Sequence, residues 1–235
     1  MSGPWAFINQ DLISHSLNTA KIAERIAEES YRCSVARRIR VASGGKVIME
    51  ENKVLELIKI AALLHDVGKA ADQYQRQLQD GKLSFRCHEL PSAFIAYDLM
   101  EKMKYVTHER VLVFLTILNS HQAMRSPAEM IRESNIREWS FKEWWGKTKP
   151  IFDILKTEER IFDSMDKNLT IKNISDLYER VINYARKPGN AEWVKLYCLF
   201  LAPVVWGDIC DASAFRPKDE HPSKFREELL GGCVQ

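Results

Sequence analysis

Apolar residues recur along most of the chain with the three-to-four-residue period of amphipathic helices. One such series runs from Leu12 through Ala20 to Tyr31, and another runs from Val54 to Leu64. Further helices are predicted over residues 90–104, 108–120, 125–134, 148–158, 171–186 and 190–212. The pattern therefore predicts an all-α protein built as a helical bundle.

Strict alternation of apolar and polar residues, which is typical of strands, is scarce. It occurs at residues 38–41, and an apolar stretch follows at residues 46–49. These two segments flank a turn containing Gly44 and Gly45, which predicts a small β-hairpin excursion near residues 38–49. No repeat or low-complexity linker marks a domain boundary. We therefore interpret residues 1–235 as a single domain, with residues 125–190 as an insertion on it.

Composition narrows the function classes only modestly. The 235 residues include 34 basic and 32 acidic ones, for a formal net charge of +2, so any nucleic-acid site has to be local. The five cysteines are scattered, which argues against a zinc ribbon and against a disulfide scaffold. The longest apolar run, at about residues 196–205, contains Pro203 and is shorter than the ~20 residues of a membrane-spanning helix. We expect a soluble cytoplasmic protein without a signal peptide or a membrane partner.

The most informative chemistry lies where an apolar helix runs into two adjacent metal-ligand side chains. These are His65 and Asp66, and they are followed by Gly68 and Lys69. Burying an imidazole or a carboxylate without a partner is costly, and the two together suit Mn, Fe, Co, Ni or Zn. The ordinary alternative is a hydrogen-bonded core histidine and an aspartate that caps the next helix. The positions of the other histidines favour the metal.

Four further side chains interrupt or end predicted apolar helices: His15, His88, His121 and Asp208. Each has an ordinary alternative, as a satisfied core histidine, a helix cap, a cation at a helix C-terminus or an ion-pair partner. Together with the adjacent His-Asp pair they are typical of a metal centre built inside a bundle. We therefore expect the helices to carry these side chains to one cavity.

The order His, His-Asp, His, His, Asp over residues 15 to about 213 resembles the HD superfamily of metal-dependent phosphohydrolases. Residues 65–69, His-Asp-Val-Gly-Lys, resemble its His-Asp-x-Gly-Lys variant. Residues 86–93, Arg-Cys-His-Glu-Leu-Pro-Ser-Ala, resemble the Arg/Lys-x-His-x-x-x-Ser-Ala stretch of CRISPR-associated HD nucleases. Residues 208–212, Asp-Ile-Cys-Asp-Ala, are similar to the Asp-x-x-Asp-Ala close of the HD core. The resemblance implies an HD-domain helical bundle with hydrolase activity.

The resemblance also implies which residues bind metal. The residues assigned to the first metal are His15, His65, Asp66 and Asp208, and those assigned to the second metal are Asp66, His88 and His121. The cofactor is then a divalent transition metal (Mn, Ni, Co, Fe or Zn), with Mg as a further candidate. It would lower the pKa of a bound water from 15.7 towards ~7 and make hydroxide available to attack phosphorus.

The chain departs from that family's pattern in two respects. The family usually has a His-His pair where this chain has His121 and Gln122. Because an amide oxygen is a poorer transition-metal ligand than imidazole, we expect one tight site and a weaker second site. The chain also has no Gly-x-x-x-x-Gly-Lys-Ser/Thr phosphate loop. The resemblance is therefore to a stand-alone nuclease subunit, with a separate helicase and a crRNA-guided complex as partners.

Two polar residues near the signature are candidates for direct roles with substrate. Lys69 either acts in catalysis beside Asp66, pairing with a phosphate oxygen or holding that carboxylate ionised, or is an ordinary exposed lysine. Ser92 lies one turn after His88 and either contacts phosphate or has no role.

Residues 137–149 contain three tryptophans, one phenylalanine and four basic residues. Aromatic stacking platforms beside cations are common in single-stranded DNA binding. We expect Phe141 and Trp144 to pack the insertion onto the bundle, and we keep Trp139 or Trp145 as candidate stackers. An interface with the helicase is a third interpretation.

The sequence thus predicts a metal-dependent nuclease that cuts single-stranded DNA, or RNA, in a CRISPR interference system. An HD phosphohydrolase acting on nucleotides or cyclic dinucleotides shares the same metal core and remains the alternative. A closed pocket would favour that small-molecule enzyme, whereas a polymer needs an open groove. A binding module with relic HD residues is the third hypothesis, and the intact signature at residues 65–69 argues against it.

Overall fold

The computed structural model describes residues 3–7, 9–79, 84–121, 126–133 and 136–215, and the structural statements below concern that part of the chain. Its helices are α1 (Leu12–Ile26), α2 (Glu29–Ala42), α3 (Glu51–Leu64), α4 (Asp72–Gln79), α5 (Glu89–Lys102), α6 (Thr107–Leu118), α7 (Pro127–Glu133), α8 (Trp145–Ile154), α9 (Glu159–Ser164), α10 (Ile171–Ala185), α11 (Ala191–Val194) and α12 (Tyr197–Ser213). The strands are β1 (Trp5–Phe7), β2 (Gln10–Asp11), β3 (Glu138–Ser140) and β4 (Asn168–Thr170). The predicted all-α class is confirmed.

Helix α3 lies at the centre of the bundle and packs against α1, α2, α6 and α12. Its second half is buried on nearly every face between Leu57 and Leu64. A helix that is apolar all round has to be surrounded by other elements, which explains this position. Helix α5 packs against α6 and against the short 3-10 helix Val67–Ala70 that follows α3.

The β structure is limited to two short antiparallel pairs. β1 pairs with β2, with Trp5 opposite Asp11, and β3 pairs with β4, with Glu138 opposite Thr170. The second pair joins two parts of the region predicted as an insertion, residues 125–190. Its α10 packs against α5 of the bundle.

The hairpin predicted near residues 38–49 is wrong in its location. Helix α2 continues to Ala42, and a turn follows in which Gly44 and Gly45 have φ angles of 61° and 79°. Ile39 is buried in that helix whereas Val41 is 72% exposed. Four alternating residues fit one turn of a helix as well as a strand, so the short pattern did not discriminate between them.

The stretch Ala191–Ser213 is long and apolar enough to cross a membrane by length and composition alone. It is longer than the apolar run at residues 196–205, from which the sequence analysis predicted that no helix spans a membrane. Core helices of soluble proteins pass the same test, and α12 packs along α1 and contributes Asp208 to the cluster described below.

Candidate metal centre

His15 lies in the first turn of α1 and its ring is almost fully buried. Its Nδ1–H donates to the Asp211 carboxylate at 2.7 Å, which fixes Nδ1 as the protonated nitrogen. Nε2 then faces two other carboxylates. It lies 3.1 Å from Asp66 Oδ2 and 3.3 Å from Asp208 Oδ1.

His65 and Asp66 come between α3 and the 3-10 helix. Asp66 has φ −111° and ψ 1°, and this departure from helical geometry allows two adjacent side chains to face one point. The Nδ1–H of His65 donates to the carbonyl of Ala62 at 2.8 Å. Its Nε2 therefore carries the lone pair and lies 3.5 Å from Asp66 Oδ2.

Gly68 allows the start of α5 to approach this turn closely. A Cβ atom at Gly68 would lie 2.3 Å from the carbonyl oxygen of His88 and 2.9 Å from Cγ of Pro91. The backbone N–H of Gly68 also donates to Ser92 Oγ at 2.8 Å. The glycine is required by this packing, which brings His88 beside Asp66.

His88 and His121 lie at the other carboxylate oxygen of Asp66. The Nδ1–H of His88 donates to the carbonyl of Phe85 at 2.6 Å, and its Nε2 lies 2.8 Å from Asp66 Oδ1. His121 follows α6, and its Nε2 lies 3.7 Å from the same Oδ1 atom. A backbone carbonyl thus sets the tautomer of His88, as it does for His65.

These side chains form two groups whose donor atoms lie within 4.8 Å of one another. The first cluster is His15, His65, Asp66 and Asp208, and the second cluster is Asp66, His88 and His121. Asp66 belongs to both, through Oδ2 in the first and Oδ1 in the second. The structure therefore brings together all six of the side chains that the sequence assigned to metal binding.

The donor sets fit a divalent transition metal. The Nε2 atoms of His65 and His121 are buried and have no hydrogen-bond partner among the described residues. Both face carboxylate oxygens, so lone pairs oppose lone pairs unless a cation or proton lies between them. Imidazole nitrogens and carboxylate oxygens converging in this way are a suitable ligand set for Mn, Fe, Co, Ni or Zn.

The side chains around the two site carboxyls lower the pKa values of those carboxyls. Burial raises the pKa of the Asp66 carboxyl, but the neighbouring charges of His65, Lys69 and His88 outweigh burial and hold that pKa well below its usual range. Burial also raises the pKa of the Asp208 carboxyl, but the nearby His15 and His65 rings outweigh burial and hold that pKa well below the usual value. Both carboxylates therefore stay ionised in the interior.

The pKa values of two histidines are shifted in the opposite direction, above the usual value. Burial lowers the pKa of His15, but hydrogen bonds to Asp208, Asp211 and Asp66 outweigh it and hold that pKa well above the usual value. The pKa of His121 is also raised, because its interaction with Asp66 overcomes burial. The site is built to hold positive charge against its carboxylates.

The sequence left two roles open for each of Lys69 and Ser92, and the structure gives each side chain a defined partner. Lys69 Nζ lies 2.5 Å from Asp66 Oδ2 and its side chain is 12% exposed, so it is not an ordinary exposed lysine. This placement favours the interpretation that Lys69 holds Asp66 ionised. Ser92 is fully buried and its hydroxyl accepts the Gly68 N–H, so we correct its expected phosphate contact to a structural bond.

The sequence reasoning missed the role of Asp211. Its carboxylate accepts hydrogen bonds from the side chains of Gln10, His15 and Asn18. A carboxylate on the far nitrogen of a ligating histidine orients that ring and raises its basicity. Asp211 lies one helical turn after Asp208 on α12, so the Asp-x-x-Asp spacing was the signal that could have identified it.

The aromatic segment at residues 137–149 is a packing element. Trp139 is fully buried and its Nε1–H donates to the hydroxyl of Tyr74, while Trp145 is 2% exposed. The interpretation of either tryptophan as a base stacker is therefore wrong. Phe141 is buried as expected, and Trp144 is half-buried.

Gln122 lies outside the described residues. The expected weakness of the second site therefore depends on the sequence at that position. Among the described residues, the second cluster has three ligand side chains against four in the first.

A cleft of about 340 Å³ opens beside the second cluster. Its lining residues are Ser84, Phe85, Arg86, Cys87, His88, Glu89, His121 and Met130. Arg86 is exposed at its rim, and His121 exposes 27% of its side chain. The His121 side chain thus reaches solvent although its Nε2 atom is buried, whereas in the first cluster the rings of His15 and His65 are buried and Asp208 is 15% exposed.

Comparison with known proteins gives consistent matches. Residues 12–168 match the HD domain family. A protein named CRISPR-associated endonuclease Cas3-HD from Saccharolobus solfataricus is 29% identical over 245 residues and covers 100% of both chains. A protein of the same name from Methanocaldococcus jannaschii is 31% identical over 183 residues, covering 77% of this chain and 66% of its own.

A solved structure adds a match at the level of fold. It is described as a CRISPR-associated Cas3 HD domain protein from Methanocaldococcus jannaschii. It superposes with a TM-score of 0.60 at 22% identity, covering 87% of this chain and 100% of that one.

Proposed function

The chain belongs to the HD domain family, and from this premise we propose that it is a metal-dependent nuclease that hydrolyses phosphodiester bonds of single-stranded DNA in CRISPR interference. Family membership confirms the resemblance found in the sequence. A relative matched over the whole chain and named a CRISPR-associated endonuclease supports the nuclease class. The observation that carries the proposal is the pair of donor clusters that share Asp66 through its two carboxylate oxygens.

We assign one metal to each cluster. The first cluster offers four side chains, and the hydrogen bonds to Asp211 and to the Ala62 carbonyl hold two of its rings in place. The second cluster offers three and is followed in the chain by Gln122 rather than a further imidazole. We therefore propose one tight site and a weaker second site. The ligand types suit Mn, Ni, Co, Fe or Zn better than Mg.

A divalent metal bound there would supply an acidified water and a positive charge at the phosphate. The residues of the chain prepare the site for it. Asp66 stays ionised because Lys69 and the surrounding histidines lower its pKa. Asp211 turns the His15 ring so that Nε2 faces inward. We propose that Lys69, which is 12% exposed beside Asp66, holds that carboxylate ionised and also binds a non-bridging phosphate oxygen of the substrate.

The shape of the cleft supports a polymer substrate over an enclosed small molecule. Arg86 is exposed at the rim, and His121 is partly accessible on the same side. A strand can pass such an open site, with phosphates on one side and bases on the other. RNA remains an alternative polymer, and nucleotides or cyclic dinucleotides remain the alternative small substrates.

We further propose that the protein works in the cytoplasm with a separate helicase and a crRNA-guided complex. The names of the relatives place those proteins in CRISPR systems.

The test is a cleavage assay with Mn²⁺ or Ni²⁺ on end-labelled single-stranded DNA, with RNA, duplex DNA and a cyclic dinucleotide as competing substrates. We expect the single strand to be cut only with metal and EDTA to stop the reaction. Hydrolysis of the cyclic dinucleotide with the strand left intact would replace the nuclease by the small-molecule enzyme. Neither metal binding nor turnover would favour a binding module instead.

A further inference from the structure

A buried carboxylate beside the second cluster has no part in the ligand assignment. Glu89, the first residue of α5, lines the cleft and is 7% exposed. Its Oε2 atom is enclosed and has no hydrogen-bond partner among the described residues. It lies 3.7 Å from His88 Nδ1, a nitrogen that already donates to the Phe85 carbonyl. A buried acceptor left without a donor is costly, so a ligand that brings a donor would recover that cost.

The rest of the cleft indicates what kind of ligand that is. Phe85 is half-buried and Met130 is 5% exposed, so one part of the lining is apolar. Arg86 is exposed at the rim and supplies a positive charge. At about 340 Å³ the cleft is at the small end of the range for ligand sites. An apolar wall, one acceptor and a cation at the rim match a nucleobase and the phosphate attached to it.

Two other occupants fit Glu89 less well. A phosphate group would be repelled by the carboxylate, so the sugar-phosphate backbone does not belong at this position. A metal ion is held by converging donor atoms, and Glu89 does not belong to either donor cluster. A base edge that carries hydrogen-bond donors has neither problem.

We propose that this cleft is a subsite for one nucleobase with an exocyclic amino group, and that Glu89 accepts a hydrogen bond from that group. The proposal rests on the nuclease function proposed above and specifies its substrate. Cytosine, adenine and guanine carry such amino groups, and carboxylates are established acceptors for the cytosine N4 amino group. Thymine presents a carbonyl oxygen instead, which faces a carboxylate unfavourably.

The first experiment measures binding without turnover. Fluorescence anisotropy in EDTA at pH 7.5 gives the Kd of labelled oligo(dC) and oligo(dT) of equal length. For the unmodified protein we expect oligo(dC) to bind about tenfold more tightly, the size that one hydrogen bond to a charged group supports. In Glu89→Gln the amide presents a donor to thymine, so the preference should disappear or reverse. The matched control Asp98→Asn, which removes a carboxylate paired with Lys102 elsewhere on α5, should keep the wild-type ratio.

The second experiment locates the cuts. On an oligo(dT) strand with a single dC, we expect cleavage with Mn²⁺ to concentrate next to the dC, and to spread along the strand in Glu89→Gln. Both ratios are taken within one protein preparation, so partial unfolding of a variant does not imitate the effect.

The outcomes separate this inference from the nuclease proposal. Equal Kd values for the two oligonucleotides, or a wild-type ratio in Glu89→Gln, would overturn the base subsite even if cleavage occurs. A Glu89-dependent preference for oligo(dC) without cleavage of any strand would support the subsite and contradict the nuclease.

Discussion

The two clusters that share Asp66 differ in how their ligands are held. In the first cluster the rings of His15 and His65 are buried, and both have their far nitrogens bound, one to Asp211 and one to a backbone carbonyl. In the second cluster His88 is held in the same way, but His121 exposes 27% of its side chain beside an open cleft.

This difference indicates different roles for the two clusters that share the Asp66 carboxylate. A ligand set that is buried and oriented in advance binds metal at a smaller ordering cost. A set that reaches solvent leaves room for substrate. Under the proposed function, we therefore expect the first cluster to be the tight metal site and the second to be the weaker site beside the bound substrate.

The largest expected effect comes from Asp66→Ala. Because Asp66 contributes an oxygen to each cluster, its loss should impair both sites at once and reduce cleavage to the level seen without metal. The assay is metal-dependent cleavage of labelled single-stranded DNA, with Asp98→Ala as the control for loss of a carboxylate. Wild-type activity in Asp66→Ala would mean that the cleavage arises from another site or from a contaminant.

A smaller and one-sided effect is expected from Asp211→Asn. His15 is the one candidate ligand that the described structure shows hydrogen-bonded to this carboxylate, so metal affinity in the first cluster should fall about ten- to a hundredfold while the second cluster is spared. Isothermal titration with Mn²⁺ measures both affinities in one experiment, with Asp98→Asn as control. Equal weakening of the two sites would show that Asp211 acts through the fold rather than through His15.

Gly68→Ala should disturb the second cluster, because Gly68 packs against the start of α5 beside His88. The added Cβ would meet the His88 carbonyl at 2.3 Å, whereas a Cβ at Gly146 in α8 meets nothing within 4 Å. Overpacking of this kind costs about 1–3 kcal/mol, so urea unfolding should show that loss for Gly68→Ala. Gly146→Ala should be neutral or slightly stabilising. Unfolding free energies that fall equally in both variants would remove packing against α5 as the reason for the glycine.

Most of the candidate metal centre could be predicted from the sequence, but few of the contacts around it could. The signature at residues 65–69 and the polar side chains that interrupt or end apolar helices identified six candidate ligands, which the structure brings together. The roles of Ser92 and Trp139 depended on partners distant in the chain, namely Gly68 and Tyr74. No local pattern reports such contacts, so from the sequence a phosphate contact stays open for a buried hydroxyl and base stacking stays open for a core indole.

Prediction of the secondary structure was limited in the same way. Helix α3 was predictable because apolar residues recur with the helical period from Val54 to Leu64. The segment around Val41 was not, since four residues of alternation fit a helix end or a strand equally well. Asp211 was visible in the spacing of α12, but its function became clear only through its hydrogen bond to His15.

The most direct test of the central claim is calorimetric titration of the unmodified protein and of Gln122→His with Mn²⁺. We predict two sites of unequal affinity, one tight and one weaker, because among the described residues the second cluster has fewer ligand side chains and an amide follows His121 in the chain. Gln122→His should strengthen the weaker site and leave the tight one unchanged. Two equivalent tight sites in the unmodified protein would contradict the assignment of unequal clusters.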